Sequence, residues 1–351
     1  MPAMTPDLAR RALELVSIPS VSHDEAEIAA YVAGAMPWQP VFANDDLSTV
    51  YARRNGKPLV VFAGHLDTVP PQGNIPGRLE DGWVVGLGAS DMKGGVALMI
   101  ELARWLAEEE PETAIDPAFL FFPREEVGSE WNPLPGLFEA CPLLGEASLA
   151  VLLEPTDETI QAGCLGHLVA RRVFLGTSSH SARPWLGDNA ILQAAEGIAP
   201  VAPEEVEIDG LRFVEVLSPT LISGGIADNV IPDRVDVTYS YRFGPQRSVE
   251  DAERRVRELL GEDVEVLNVS PAGRVSLRNP QVERLRAATG FAVEPKQAWT
   301  NVADFTSRGV DAVNLGPGQT RYAHTRDERL EVEALERTFE ALQRFVRAGS
   351  V

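Results

Sequence analysis

Two histidines and five acidic residues sit at or just beyond the ends of apolar, strand-like runs. They are His65 and Asp67, then Asp91, the pair Glu125-Glu126, Glu154 and finally His324. Imidazole and carboxylate without cysteine suit a catalytic rather than a structural zinc site, because thiolates usually fill the closed structural ones. A two-metal centre needs its ions roughly 3.5–4 Å apart, a separation that one carboxylate can span with its two oxygens. Asp91 is the natural bridge. His65 and Glu154 then complete one metal position, and Glu126 and His324 the other. Three carboxylates balance three of the four positive charges. Asp67 is suited to accept the His65 ring N–H that does not face the metal, which fixes the tautomer. Glu125, beside a ligand on a strand-end turn, is expected to point the opposite way and so to stay free as a general base.

Taken singly, His-x-Asp or Glu-Glu reads as an ordinary surface or core pair. Their joint occurrence after successive strand-like runs is what points to a site. Leu59-Val60-Val61-Phe62-Ala63, Phe119-Leu120-Phe121-Phe122 and Leu149-Ala150-Val151-Leu152-Leu153 are short continuous apolar runs, the signature of strands covered on both faces. His65, Glu125, Glu126 and Glu154 follow these runs closely, and ligand sites in open α/β sheets gather beyond the carboxyl ends of strands. After Asp91, the residues Val96, Met99, Ile100, Ala103 and Leu106 mark one helical face, which places that acid at a helix N-terminus. Val332, Leu335, Phe339, Leu342 and Phe345 repeat the pattern near the C-terminus. Thr5-Pro6 predicts the cap of a first helix ending near Val16, and Ser22 with Glu25 predicts a capping box for a second through Ala35.

From about Gly166 to Gly273 the pattern changes to alternating strands. The order reads strand 168–175, helix 188–199, strand 212–217, strand 235–242, helix 249–260, strand 264–269, with Ser248 and Asp251 capping the second helix. This is the β-α-β-β-α-β order of a ferredoxin-like unit inserted into the first domain. The expected division is therefore 1–166 with 274–351 for the metal-bearing α/β domain and 167–273 for the insert. No internal repeat or low-complexity tract is seen.

At 351 residues the chain is long enough for two cores. Its formal charge of −21 argues against nucleic acid and anionic membranes as partners. No apolar run reaches the ~18 residues of a membrane span, and the opening residues lack the pattern of a signal peptide, so a cytoplasmic location is expected. Cys141 and Cys164 are expected to be free thiols.

The segments Gly64-His65-Leu66-Asp67-Thr68-Val69-Pro70, Gly88-Ala89-Ser90-Asp91-Met92-Lys93-Gly94-Gly95, Arg124-Glu125-Glu126-Val127-Gly128, Leu153-Glu154-Pro155 and Ala323-His324-Thr325-Arg326-Asp327-Glu328 carry a resemblance. Together with His180-Ser181-Ala182-Arg183-Pro184-Trp185, Gly224-Gly225-Ile226-Ala227-Asp228-Asn229 and Tyr241-Arg242-Phe243, they resemble the zinc aminoacylase and carboxypeptidase-like metallopeptidases. Within these, the likeness is to the desuccinylases of the actinobacterial type, and it runs over nearly the whole chain.

The resemblance implies two zinc ions per subunit held by His65, Asp91, Glu126, Glu154 and His324, with cobalt or manganese able to substitute. It implies Asp67 and Glu125 in the roles given above, and a cis peptide between Asp91 and Met92. The insert would serve as lid and dimer interface of a homodimer, with His180 supporting the oxyanion in the partner's site. Asn229 and Arg242 would hold polar groups of a small N-acyl amino acid, with Gly316 and Gly318 near the substrate backbone. Some desuccinylases carry Gly-Arg-Arg-Gly where this chain has Gly163-Cys164-Leu165-Gly166, which leaves Arg183 and Arg242 as candidates for a distal carboxylate. The implied reaction is hydrolysis of N-succinyl-LL-2,6-diaminopimelate to LL-2,6-diaminopimelate and succinate. The alternative is an N-acetylornithine or N-acetylcitrulline deacetylase, or another aminoacylase or carboxypeptidase with the same centre. A catalytically silent binding protein would be expected to have a broken ligand set.

Overall fold

The computed structural model describes residues 7–198 and 200–349. It forms two units: Met1–Ala162 with Ser276–Glu294 and Asp304–Val351, and Gly163–Val275 with Pro295–Ala303. The short return segment 295–303 thus groups with the second unit, a placement that chain order alone does not convey.

The first unit is built on a mixed sheet whose strands run, side by side, Phe42–Ala43, Thr49–Ala52, Asp116–Phe122, Leu59–His65, Leu149–Leu152, Ala312–Asn314, Ile160–Cys164 and Val293–Lys296. Leu59–His65 and Asp116–Phe122 are buried at every residue, as their unbroken apolar runs require. The central strands pair in parallel, and their register decides what meets at their ends. His65 lies opposite Phe122, and Ala63 opposite Leu152. The residues after Phe122 and after Leu152 therefore emerge at the level of His65.

Helix Gly94–Glu109 buries Val96, Met99, Ile100, Ala103 and Leu106, the face its spacing marks, but not that face alone. It is buried most of the way round, because the helices Leu8–Val16 and Val332–Val346 flank it as well as the sheet. Its start sits tight on the Leu149 strand: a Cβ on Gly95 would lie 2.4 Å from the Leu153 carbonyl oxygen. Helix Val332–Val346 buries Leu335, Phe339, Leu342 and Phe345, each contributing about 1.5–3 kcal/mol of hydrophobic stabilisation.

The Thr5-Pro6 cap lies outside the described residues. Helix Leu8–Val16 is capped by Asp7, whose carboxylate accepts the Arg10 N–H at 3.0 Å. The Ser22/Glu25 capping box does not form. Ser22 Oγ donates to Asp67 at 2.7 Å, and Glu25 stands at the N-cap of Ala26–Ala35 with its carboxylate accepting the His23 N–H at 2.9 Å. The helix begins at Ala26, four residues past Ser22, so Ser22 is not at the N-cap and its hydroxyl is left to donate to Asp67.

The second unit carries an antiparallel sheet in the order Glu204–Ile208, Leu211–Gly224, Arg234–Phe243, Gly166–Leu175, Glu265–Ser270. Its core joins Leu168, Ala170, Val235, Val237, Tyr239 and Tyr241 to Ala190 and Ala194 of helix Ala190–Gly197 and to Ala252, Val256 and Leu260 of helix Val249–Leu260. Ser248 caps the latter, accepting the Asp251 N–H at 3.1 Å. The expected strand 212–217 is more than twice as long, Leu211–Gly224, and forms a hairpin with Glu204–Ile208, a strand not expected because Glu204-Glu205 looks like solvated acid. The available signal was Asp209-Gly210. Both have positive φ (48° and 82°) between paired Ile208 and Leu211, the two-residue turn that suits a right-twisted hairpin.

Among the described residues no helix is long and apolar enough to cross a membrane. Cys141 and Cys164 are free and buried.

Candidate metal centre

Strand register sets His65 level with Glu154, and the loops carrying Asp91, Glu126 and His324 bring their ligand-type side chains alongside. Ligand atoms of His65, Asp91 and Glu154 lie within 4.8 Å of one another, and so do those of Asp91, Glu126 and His324. Asp91 belongs to both sets, and its two oxygens face different ways. Oδ1 is 3.2 Å from His65 Nε2, and Oδ2 is 3.4 Å from His324 Nε2. His324 Nε2 is also 3.0 Å from Glu126 Oε1. The peptide between Asp91 and Met92 is cis.

This donor set fits a pair of divalent cations. Two three-residue groups of imidazole and carboxylate share a carboxylate, with no thiolate among them. The electrostatics agree. Burial raises Glu125 well above the usual carboxylate range, with Glu154, Glu126 and Asp91 adding to the rise against the His65 ring. Burial also raises Glu126, with Asp91 adding to it. His324 is lifted to about 10 by its hydrogen bonds to Asp91 and Glu126. His65 is lifted although burial opposes it, because Asp67 and Asp91 face its ring. Such a concentration of buried negative charge is what bound cations neutralise, and they invert these shifts.

Glu125 also lies within 4.8 Å of His65 and Glu126, so it does not point away from them as expected. Strand alternation ends at Phe122, and Arg124 takes a positive φ of 61°, which turns the chain. Asp67 then clamps the turn. Its Oδ1 accepts the Glu125 N–H at 2.9 Å and its Oδ2 the Glu126 N–H at 3.0 Å. His65 Nδ1 lies nearest the Asp67 backbone carbonyl, at 3.0 Å, with the carboxylate at 3.4 Å. Asp67 thus orients the imidazole chiefly through its main chain, and its side chain holds the two glutamates in place.

Burial alone would raise the Asp67 carboxyl, but the His65 ring, the Glu126 N–H and the Ser22 hydroxyl outweigh it and hold it at about 2. Because the folded value lies below the unfolded one, its stabilisation is present above about pH 4 and is lost as pH falls towards 2. In metal-free protein, urea midpoints should show native stability falling towards that of Asp67→Asn across this window. The gap that closes should be on the order of 2 kcal/mol. A gap that stays constant with pH would contradict the assignment.

Other positioning groups went unread in the sequence. Glu328, inside an exposed-looking acidic run, accepts three backbone N–H groups from the Asp91 loop. Lys93 is buried, with Nζ donating to the Ile18 carbonyl at 2.7 Å. Gln72 Nε2 donates to the His324 carbonyl at 2.9 Å. Nothing in their local sequence separates them from surface polar residues. Gly316 packs against Glu154, since a Cβ there would lie 2.4 Å from its carbonyl oxygen, and Gly318 packs against Ser90.

The remaining candidates lie in the second unit. His180 begins a tight cluster there: its Nδ1 accepts the Ala182 N–H at 3.0 Å, leaving Nε2 as the free nitrogen, and Ser181 N–H donates to the Asn229 carbonyl at 2.9 Å. Arg183 N–H donates to the His180 carbonyl. Arg242 lies apart on the sheet, opposite His167, whose Nε2 is 3.0 Å from Ser240 Oγ.

The chain belongs to peptidase family M20/M25/M40, whose model matches residues 61–348. Solved structures share the fold. The aminopeptidase PepT of Bacillus cereus superposes with a TM-score of 0.78 over 95% of this chain and 96% of its own, at 23% identity. A dinuclear metal-binding M20 peptidase of Bacillus subtilis gives 0.68 over 95% of each chain, at 15% identity. In sequence, the succinyl-diaminopimelate desuccinylase of Corynebacterium glutamicum is 36% identical over 336 residues, 92% of this chain and 91% of its own. A Mycobacterium tuberculosis relative that bears the same name provisionally is 39% identical over 342 residues, 95% of this chain and 96% of its own.

Proposed function

We propose that this chain is a two-metal amide hydrolase that converts N-succinyl-LL-2,6-diaminopimelate and water to LL-2,6-diaminopimelate and succinate, working in the cytoplasm. The observation that carries the chemistry is the shared carboxylate of Asp91 between two ligand sets with Glu125 beside them. The choice of acyl group is supported by relatives of that name that align over most of the chain.

In this reading His65, Asp91 and Glu154 hold one ion and Asp91, Glu126 and His324 the other. Zinc is the proposed metal, and cobalt or manganese also suits such donors. Ions held there would supply Lewis acidity to the amide carbonyl and to water. Glu125 takes the proton from the attacking water and delivers it to the departing amine. Asp67 keeps Glu125 and Glu126 at their posts.

The second unit supplies recognition and pairing. Burial holds the guanidinium of Arg242 below its usual range, and no carboxylate among the described residues offsets that cost. A partly buried arginine of this kind is suited to grip a substrate carboxylate in two parallel hydrogen bonds, and we propose that Arg183 and Asn229 contribute to the same recognition. The enzyme is proposed to act as a homodimer. Beyond Glu215, strand Leu211–Gly224 has a neighbour on only one side among the described residues, and Leu221 (69%) and Ile222 (63%) are exposed there, with Ile226 (86%) just after. An open strand edge with apolar side chains calls for cover, and a second copy would bring His180 of the partner subunit to the developing oxyanion.

The test is a panel of N-succinyl and N-acetyl substrates compared by kcat/KM on metal-reconstituted enzyme. Succinyl-diaminopimelate should be preferred over acetylornithine, acetylcitrulline and simple peptides. A preference for acetyl substrates would keep the two-metal chemistry and remove the substrate assignment.

A further inference from the structure

Glu328 belongs to neither ligand set, yet it is 1% exposed and its carboxylate serves a single loop. Its Oε2 accepts the Gly88 N–H at 2.9 Å, and its Oε1 accepts the N–H groups of Ser90 at 3.1 Å and Asp91 at 3.0 Å. Its own backbone carbonyl accepts the Gly86 N–H at 2.9 Å. It also lies four residues after His324. One residue therefore ties the loop that carries Asp91 to the loop that carries His324. Asn74 reinforces the tie from a third segment. Its side-chain amide donates to the Thr325 carbonyl at 3.2 Å, and its main-chain carbonyl accepts the Leu87 N–H at 3.1 Å.

The two metal positions do not depend on this tie equally. His65 and Glu154 come from neighbouring parallel strands whose register is set by the backbone ladder. His324 has no such ladder. Its side chain is 52% exposed, its backbone stands at a positive φ of 60°, and its distance from Asp91 is governed by the loop contacts around it. A carboxylate that accepts three amide hydrogens at once is a stiff bracket, since each charge-assisted bond fixes a different point of the loop. Groups that orient metal ligands from behind are known to govern affinity as well as geometry.

We infer that Glu328 is a positioning residue which sets, selectively, the affinity of the metal position formed by Asp91, Glu126 and His324. The inference rests on the two-metal reading above and deepens it. It concerns metal binding, and can be measured without turnover.

The experiment is a chelator-competition titration of the metal-free protein with Zn2+, repeated with Co2+, on the native chain, Glu328→Ala and Glu328→Gln. Glu215→Gln serves as a control for lost stability. Glu215 is a carboxylate of the second unit, 2% exposed, that accepts from Tyr241, the Gly244 N–H and Arg247. The native chain should bind two equivalents. Glu328→Ala should keep one equivalent near native affinity and weaken the other by about 10–100-fold. Glu328→Gln, which keeps one acceptor oxygen at native length, should fall between, and it decides the matter if the alanine variant does not fold. Glu215→Gln should lower Tm and leave both affinities unchanged. Native affinity for both equivalents in both Glu328 variants would overturn the inference. Equal weakening of the two would overturn its selectivity. A native chain that binds fewer than two ions would instead overturn the two-metal reading itself.

Discussion

Glu125→Gln is expected to retain both metal equivalents and to lose about 10²–10⁴ in kcat, the usual contribution of a positioned general base. The substitution preserves shape and removes only the ability to take a proton. Glu125 is half-buried, and desolvation comes first in raising its carboxyl, with three neighbouring carboxylates adding to the rise. Cations held at the adjacent ligand sets would oppose that rise and favour the ionised form that accepts a proton. Elemental analysis beside steady-state kinetics checks the outcome. Full activity would remove Glu125 from the proton transfer. Loss of one metal equivalent would show that it acts as a ligand, a role its distance from His65 also permits.

Asp91→Ala should have the broader effect, because Asp91 alone contributes an oxygen to both ligand sets. Removing it leaves His65 with Glu154 on one side and Glu126 with His324 on the other, two donors each where three stood. Both equivalents should weaken by at least about 10²-fold, since even loss of an orienting group behind a ligand reaches that range, and activity should follow. His324→Ala, by contrast, should weaken one equivalent and spare the other. Asp91→Asn keeps one carbonyl oxygen and should be intermediate. Comparable metal profiles for Asp91→Ala and His324→Ala would mean that Asp91 does not bridge.

Much of the centre was legible because its chemistry lies in residue types and its placement in strand ends. Unbroken apolar runs mark interior strands, and a residue just past such a run must emerge at the edge of the sheet. That reasoning placed His65, Glu126 and Glu154 without further help. It misjudged Glu125, whose orientation depends on a turn closed by Asp67 from 58 positions away. It assigned Ser22 to a helix cap when a distant buried carboxylate held it. Glu328 passed as one more charged residue beside Arg326 and Asp327, because its three partners, Gly88, Ser90 and Asp91, are distant in sequence.

The sequence by itself determined which side chains are able to bind a cation, which stretches become covered strands, and that a separate alternating segment interrupts the first unit. These follow from residue type and from periodicity among near neighbours. Tertiary structure alone decided which oxygen of Asp91 faces which imidazole and which carboxylate braces the loop beneath it. The donor and acceptor that settle the loop are 237 residues apart, and the direction of a hydrogen bond over such a separation exists only once the chain has folded.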